Sequence, residues 1–257
     1  MADAPGVYFI GAGPGDPDLL TVKAARLIAR ADLVLYAGSL VSPDVVALAG
    51  KNARVVDSAP LTLAETHALL ATTVRGGGVA ARVHTGDPAL YGALSEQLRL
   101  LAADAIPYAI VPGVTTASAA AAAFGVSFTE PESTQTLILT RLAGRTPMPP
   151  EESLAALARH RTSMAIYLSA ADPEGVAKAL AAGGCPADTP VAIAHRLGWP
   201  GEKRLWATVA TLADTVRRAG IDRHTLFLVL PGLGQGARSK LYDPSFGHGF
   251  RPVRDDD

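Results

Sequence analysis

The sequence predicts an α/β protein of two domains, each a mostly parallel or mixed sheet flanked by helices. Three observations carry that prediction. Short β-rich apolar runs alternate with stretches of helical periodicity along most of the chain, and such alternation implies sheets covered by helices. Several runs end in glycine- or proline-containing loops, the places where open α/β sheets bind ligands. Of 257 residues, 49% are hydrophobic but only 5% aromatic, a balance that favours alanine-rich helices laid over a sheet.

Val7-Tyr8-Phe9-Ile10 reads as a buried first strand. Leu20, Ala24, Leu27, Ile28 and Ala31 then recur at helical spacing, with Lys23, Arg26 and Arg30 on the opposite face. Residues 33–36, 54–56, 79–84 and 108–111 continue the strands, with helices over 63–74 and 94–103. Pro112-Gly113 interrupts the pattern before an alanine-rich helix over 116–123. A second strand series follows at 136–140, 164–168, 190–194, 205–208 and 225–230, with helices at 153–158, 175–182 and 212–219. The domains are accordingly set at 1–115 and 116–244. Residues 245–257, rich in glycine, proline and charge, are expected to form a flexible tail.

Net charge is −1, so no overall basic field draws the protein to nucleic acid or to an anionic membrane. The single cysteine, Cys185, has no internal disulfide partner. Met1–Gly6 lacks the basic and apolar regions of a signal peptide, and runs such as Leu226–Leu230 are too short to span a bilayer. A cytoplasmic enzyme without a metal centre is the expectation.

Gly11-Ala12-Gly13-Pro14-Gly15-Asp16-Pro17 follows a strand and precedes a helix, where a phosphate-binding loop would sit. Three details oppose that use. The spacing is GxGxG instead of GxGxxG. Pro14 and Pro17 delete backbone N–H donors. Asp16 and Asp18 place negative charge at the helix entrance. A tight strand-to-helix turn with aspartates capping the helix accounts for part of the pattern.

Other loops sit at strand ends. Thr85-Gly86-Asp87-Pro88-Ala89-Leu90-Tyr91-Gly92 is glycine-bounded, and Asp87 can either accept bonds from a ligand or close an Asx-type turn. Pro112–Ser118 leads into a helix so small-sided that a ligand can approach its backbone. Arg141 and Arg145, in Thr140–Pro149, are either a carboxylate clamp or two solvated loop arginines. His195-Arg196-Leu197-Gly198-Trp199-Pro200 ends another strand; its lone histidine is a base or a structural residue.

Gly11–Pro17 with Leu19-Leu20-Thr21, Thr85–Gly92, Pro112–Ser118, Ile166-Tyr167-Leu168 and Phe227–Gly232 occur in the order seen in the tetrapyrrole methylases, which the chain resembles over roughly residues 5–235. Tyr36-Ala37-Gly38-Ser39-Leu40-Val41 and Thr140–Pro147 are similar to the branch of that family that methylates C11 of precorrin-4 in cobalamin biosynthesis.

The resemblance implies a homodimer whose subunits fold S-adenosylmethionine into a cleft between two domains, with a small-molecule tetrapyrrole as the other substrate. Carried over by motif, Pro14 lines that region, and Thr85, Gly86, Asp87 and Leu90 meet the methionine and ribose portions. Thr115 and Thr116 flank the sulfonium, while Tyr167, Leu168, Arg196, Leu197 and Pro231 hold the adenine end. The acetate and propionate arms of the substrate give Arg141 and Arg145 a purpose. Asp16, Asp87 and His84 are the candidates for accepting the proton lost on methylation. Whether the substrate holds cobalt stays open. So do three other readings: a methyltransferase of the same superfamily acting elsewhere on the corrin, on ribosomal RNA or on diphthine, a nucleotide-dependent oxidoreductase, and a non-catalytic binding protein.

Overall fold

The computed structural model describes residues 4–144, 146–237, 239 and 245–252. The chain forms two compact units. The first runs to Ala119 and includes Arg196–Lys203; the second takes in Ala120–His195 and continues from Arg204.

The first unit contains β1 (Gly6–Gly11), α1 (Val22–Arg30), β2 (Leu33–Tyr36), α2 (Pro43–Val46), β3 (Arg54–Asp57), α3 (Leu63–Arg75), β4 (Val79–His84), α4 (Leu94–Ala103) and β5 (Tyr108–Val111). Its sheet has the order β3-β2-β4-β1-β5, and each pairing is parallel. Alternation along the strands divides the core. Ile10 and Val34 pack with Leu27 and Ile28 of α1 and Val45 of α2 on one face; Phe9, Leu33 and Leu35 pack with Leu70 of α3 and Leu101 of α4 on the other. Burying one such leucine or isoleucine is worth about 1.5–3 kcal/mol, so β1 and β2 each stabilise both faces. Local signals set the helix starts. Thr21 Oγ1 accepts from Ala24 N, and Thr62 and Glu65 form a capping box at α3.

The second unit holds α5 (Thr116–Phe124, which begins in the first unit), β6 (Leu137–Arg141), α6 (Leu154–Ala158), β7 (Ser163–Tyr167), α7 (Pro173–Ala182), β8 (Pro190–His195), β9 (Lys203–Thr208), α8 (Leu212–Arg218) and β10 (Thr225–Val229). Its sheet order is β6-β7-β10-β8-β9. It is mixed: β6 pairs with β7 in parallel, while β10 runs antiparallel to both β7 and β8. Leu154 of α6, Val176 and Leu180 of α7 and Leu212 and Val216 of α8 pack with Met164, Ile166, Ile193 and Phe227 into one core. Asp172, followed by Pro173, caps α7 through Gly175 N at 2.8 Å. Phe124, ending α5, meets Trp206 of β9 edge-on at 5.1 Å.

The expected strands and longer helices are all present, with ends shifted by a residue or two. Short elements add to them: 3-10 turns at Pro17–Leu19, Gly38–Leu40 and Pro150–Glu152, and α2, which starts at the cap Ser42 followed by Pro43. These one-turn elements are too brief to leave a hydrophobic period. The boundary set at 115/116 also placed Arg196–Lys203 with the second series, whereas that segment packs with the first unit, for a reason visible at the Gly11–Pro17 loop. In the C-terminal segment, His248 and Arg251 close a turn through reciprocal backbone bonds. Among the described residues, no helix is long and apolar enough to cross a membrane.

Candidate active site

Three loops meet at the carboxyl edge of the parallel sheet, and they meet through glycines. After β1 and β4, Gly13 and Gly86 exchange backbone hydrogen bonds of 3.2 and 2.7 Å. A Cβ on Gly11 would lie 2.5 Å from Gly113 Cα, and one on Gly113 would lie 2.1 Å from Gly86 O. No side chain fits at either place, so the backbones of all three loops are in direct contact.

Asp87 ties this junction together. Its Oδ1 accepts from Ala89 N at 2.8 Å, closing the Asx turn, and its Oδ2 accepts from Gly113 N at 3.0 Å. The carboxylate therefore links the loop after β4 to the loop after β5. Leu90 N donates to Asp87 O at 3.1 Å, and Gly86 takes a φ of +59°, a left-handed conformation that glycine adopts without strain. Thr115 Oγ1 accepts from Ala117 N at the entrance to α5, and Thr116 Oγ1 lies 3.7 Å from where a Gly86 Cβ would stand. Threonine hydroxyls and backbone groups around Gly86 form a neutral polar set. Such a set suits ribose hydroxyls and an amino-acid moiety.

Gly11–Pro17 is held from above by Arg196–Glu202. Trp199 Nε1 donates to Pro14 O at 2.9 Å, and a Cβ on Gly15 would lie 2.3 Å from the Trp199 indole. Gly198 is pressed as closely against Asp16 N, and Glu202 Oε2 accepts from Gly198 N at 2.8 Å. Leu197 is buried, and Arg196 sits at a φ of +51° with its guanidinium 5.9 Å from the Trp199 ring centre. Pro14, Arg196 and Leu197 are thus brought together within the first unit. The spacing of residues gives no hint of this packing.

The three proton-acceptor candidates occupy different settings. Asp16 is half-buried and caps the Pro17–Leu19 turn, Oδ1 accepting from Asp18 N at 2.9 Å. Asp87 is committed through both oxygens. His84, at the end of β4, is only 4% exposed, and its Nε2 is buried with no hydrogen-bond partner among the described residues. Burial, reinforced by the charge of Arg82, pushes its pKa down to about 3, so the ring is neutral at neutral pH and a poor base.

In the second unit, β6 and β7 present their loops side by side. Arg141 and Tyr167 are register partners, and Ser169 Oγ donates to Tyr167 O while accepting from Leu142 N at 2.8 Å. Leu168 is two-thirds exposed at a φ of +54°. Pro231 follows β10 and is half-buried. Arg141 spends its guanidinium on its own loop, donating from Nη1 to Leu142 O and from Nη2 to Thr146 O and Pro147 O at 3.1–3.4 Å. Arg145 lies outside the described residues. His195 Nδ1 stands within 3.1 Å of Arg223 O and Thr225 Oγ1, its register neighbour, as a structural histidine would.

Two residues were not anticipated. Trp199 is the lid on the glycine loop. Arg82, 8% exposed in the middle of β4, donates from Nε to Gln97 Oε1 and from Nη1 to Ser58 Oγ and Leu35 O. An arginine within an apolar strand pattern was the available signal for the second.

An all-parallel sheet with backbone-lined loops at its carboxyl edge, followed in the chain by a mixed-sheet unit, defines a class of two-sheet α/β proteins. Within it, the chain belongs to the tetrapyrrole (corrin/porphyrin) methylases, which it matches over residues 6–213. It is 46% identical to a cobalt-precorrin-4 C(11)-methyltransferase of Priestia megaterium, over 95% of this chain and 97% of that one. It is 47% identical to a precorrin-4 C(11)-methyltransferase of Pseudomonas aeruginosa, over 96% and 98%. Among solved structures, a cobalt precorrin-4 methyltransferase superposes with a TM-score of 0.85 at 45% identity, over 87% of this chain and 93% of that one. A uroporphyrin-III C-methyltransferase of Thermus thermophilus, complexed with S-adenosylhomocysteine, superposes with a TM-score of 0.73 at 28% identity, over 91% and 96%.

Proposed function

We propose that this chain transfers a methyl group from S-adenosylmethionine to C11 of precorrin-4, with or without cobalt, in cobalamin biosynthesis. The observation that carries the reading is identity of 46–47% to C11-methyltransferases over at least 95% of the chain. The glycine junction and the neutral threonine-lined loops support it.

The cofactor supplies an electrophilic methyl group on a sulfonium. Thr85, Gly86, Leu90, Thr115 and Thr116 hold its methionine and ribose portions, with Asp87 fixing the loops that carry them. Tyr167, Leu168, Arg196, Leu197 and Pro231 hold its adenine end, and Pro14 lines the region. Methyl transfer is an in-line displacement: a C–C bond forms as the C–S bond breaks, and S-adenosylhomocysteine leaves. An electron-rich macrocycle carbon needs little activation, so alignment supplies much of the rate. The methylated macrocycle then loses a proton. Asp16 is the acceptor we favour, because Asp87 is committed to two backbone donors and His84 is buried and weakly basic. Arg145, with Arg141 bracing its loop, meets substrate carboxylates. The reading includes a cytoplasmic homodimer that binds neither nucleic acid nor membrane.

The test is incubation with S-adenosylmethionine and a precorrin-4-generating system, with and without cobalt, followed by mass spectrometry. A gain of one methyl group is expected; no gain in either arm overturns the reading.

A further inference from the structure

The first unit contains a cavity of roughly 300 Å³ whose wall includes both Arg82 and His84. Three features of it are unexplained by the fold. Arg82 is a buried cation, and burial alone pushes its pKa down to about 10. It has no carboxylate within pairing distance among the described residues, and its Nη2 makes no hydrogen bond there. A buried charge without a counter-ion is costly. His84 lines the same wall as a neutral ring, with its partnerless Nε2 buried away from the cavity. The rim is apolar: Leu40, Leu63 and Tyr91 line the cavity and are each 38–45% exposed.

A buried cation under an apolar rim matches a flat hydrophobic ring bearing carboxylate arms. We propose that this cavity is a substrate subsite in which one carboxylate of the tetrapyrrole pairs with Arg82 Nη2, while the ring edge covers Leu40, Leu63 and Tyr91. Ser58 and Gln97 orient the guanidinium from the side. Their bonds leave its Nη2 donors for an incoming anion, and guanidinium–carboxylate pairing is the strong, directional form of that contact. Glu96 stands exposed on the same wall and opposes the anion from the solvent side.

This inference rests on the tetrapyrrole reading, and the experiment separates the two. Uroporphyrin III, a stable porphyrin with acetate and propionate arms, and its methyl ester are titrated by fluorescence quenching against wild type, Arg82→Met and Glu96→Gln. S-adenosylhomocysteine is titrated in parallel by calorimetry. Arg82→Met should weaken the acid by about tenfold or more, leave the ester and S-adenosylhomocysteine unchanged, and Glu96→Gln should tighten the acid. Unchanged affinity for the acid in Arg82→Met overturns the subsite. So does a matching loss of S-adenosylhomocysteine affinity, which would give the carboxylate pocket to the cofactor. Should Arg82→Met not fold, Arg82→Lys decides: it keeps the charge and loses the forked geometry, so it should weaken the acid but not the ester, and unchanged affinity for the acid overturns the subsite. Failure of wild type to methylate precorrin-4 or to bind either porphyrin sinks the functional reading itself. Normal methylation with Arg82-independent affinity sinks only the subsite.

Discussion

The indole N–H of Trp199 donates to the carbonyl oxygen of Pro14 at 2.9 Å, across 185 residues of sequence. It fastens the Arg196–Glu202 segment onto the first glycine loop. Trp199→Phe keeps most of the ring and removes the donor, leaving Pro14 O unsatisfied. We expect a loss of about 1 kcal/mol in urea-unfolding free energy, together with weaker S-adenosylhomocysteine binding. Wild-type stability in this variant would show that the bond does not hold the loop.

Gly113→Ala tests the close approach of the loops. The new Cβ would fall 2.1 Å from Gly86 O, against backbone that cannot rotate away. Overpacking of this kind costs about 3 kcal/mol. A lower thermal midpoint and loss of methyl transfer should appear together, whereas Gly144→Ala, with nothing within 4 Å of its Cβ, should leave the midpoint nearly unchanged.

Asp87→Ala removes acceptors for both Ala89 N and Gly113 N. The expected cost is about 2 kcal/mol, with reduced affinity for S-adenosylhomocysteine. Asp87→Asn retains one acceptor oxygen and should lie between the two. If the loss of rate instead follows a proton-acceptor pattern, with cofactor affinity intact and activity rescued by high pH, Asp87 is catalytic and not a clamp.

His84 makes stability depend on pH. Its folded pKa of about 3 lies below the ordinary 6.5, so between those values the unfolded chain binds a proton that the folded chain excludes. Stability is therefore full above about pH 6.5 and falls as the pH drops toward 3, with a slope approaching 1.4 kcal/mol per pH unit, roughly one proton's worth. Urea midpoints measured from about pH 7 to pH 5 should fall less steeply in His84→Gln. Parallel slopes would mean that His84 is not held neutral by the fold.

The strands were legible because their signals are local. Val7–Ile10 is bounded by glycine, and Leu33–Tyr36 and Val79–His84 are apolar runs of strand length. The same locality explains why Gly11–Pro17 was not read as a phosphate loop: its prolines and aspartates speak for themselves. Asp87 was legible as an Asx turn but not as a link to Gly113, since only the sheet order β4-β1-β5 brings the second and third loops to the first.

By itself, the sequence determined the α/β alternation, the glycine loops at strand ends and the family resemblance carried by their order. Those properties follow from side-chain period, backbone permissiveness and motif succession, each readable within a few residues. The tertiary structure alone decided that Arg196–Lys203 packs with the first unit, that Trp199 covers Gly15, and that Arg82 is buried beside His84 with no carboxylate paired to it among the described residues. These are contacts between distant segments, chosen by close packing and by where polar groups find partners, and no spacing along the chain encodes them.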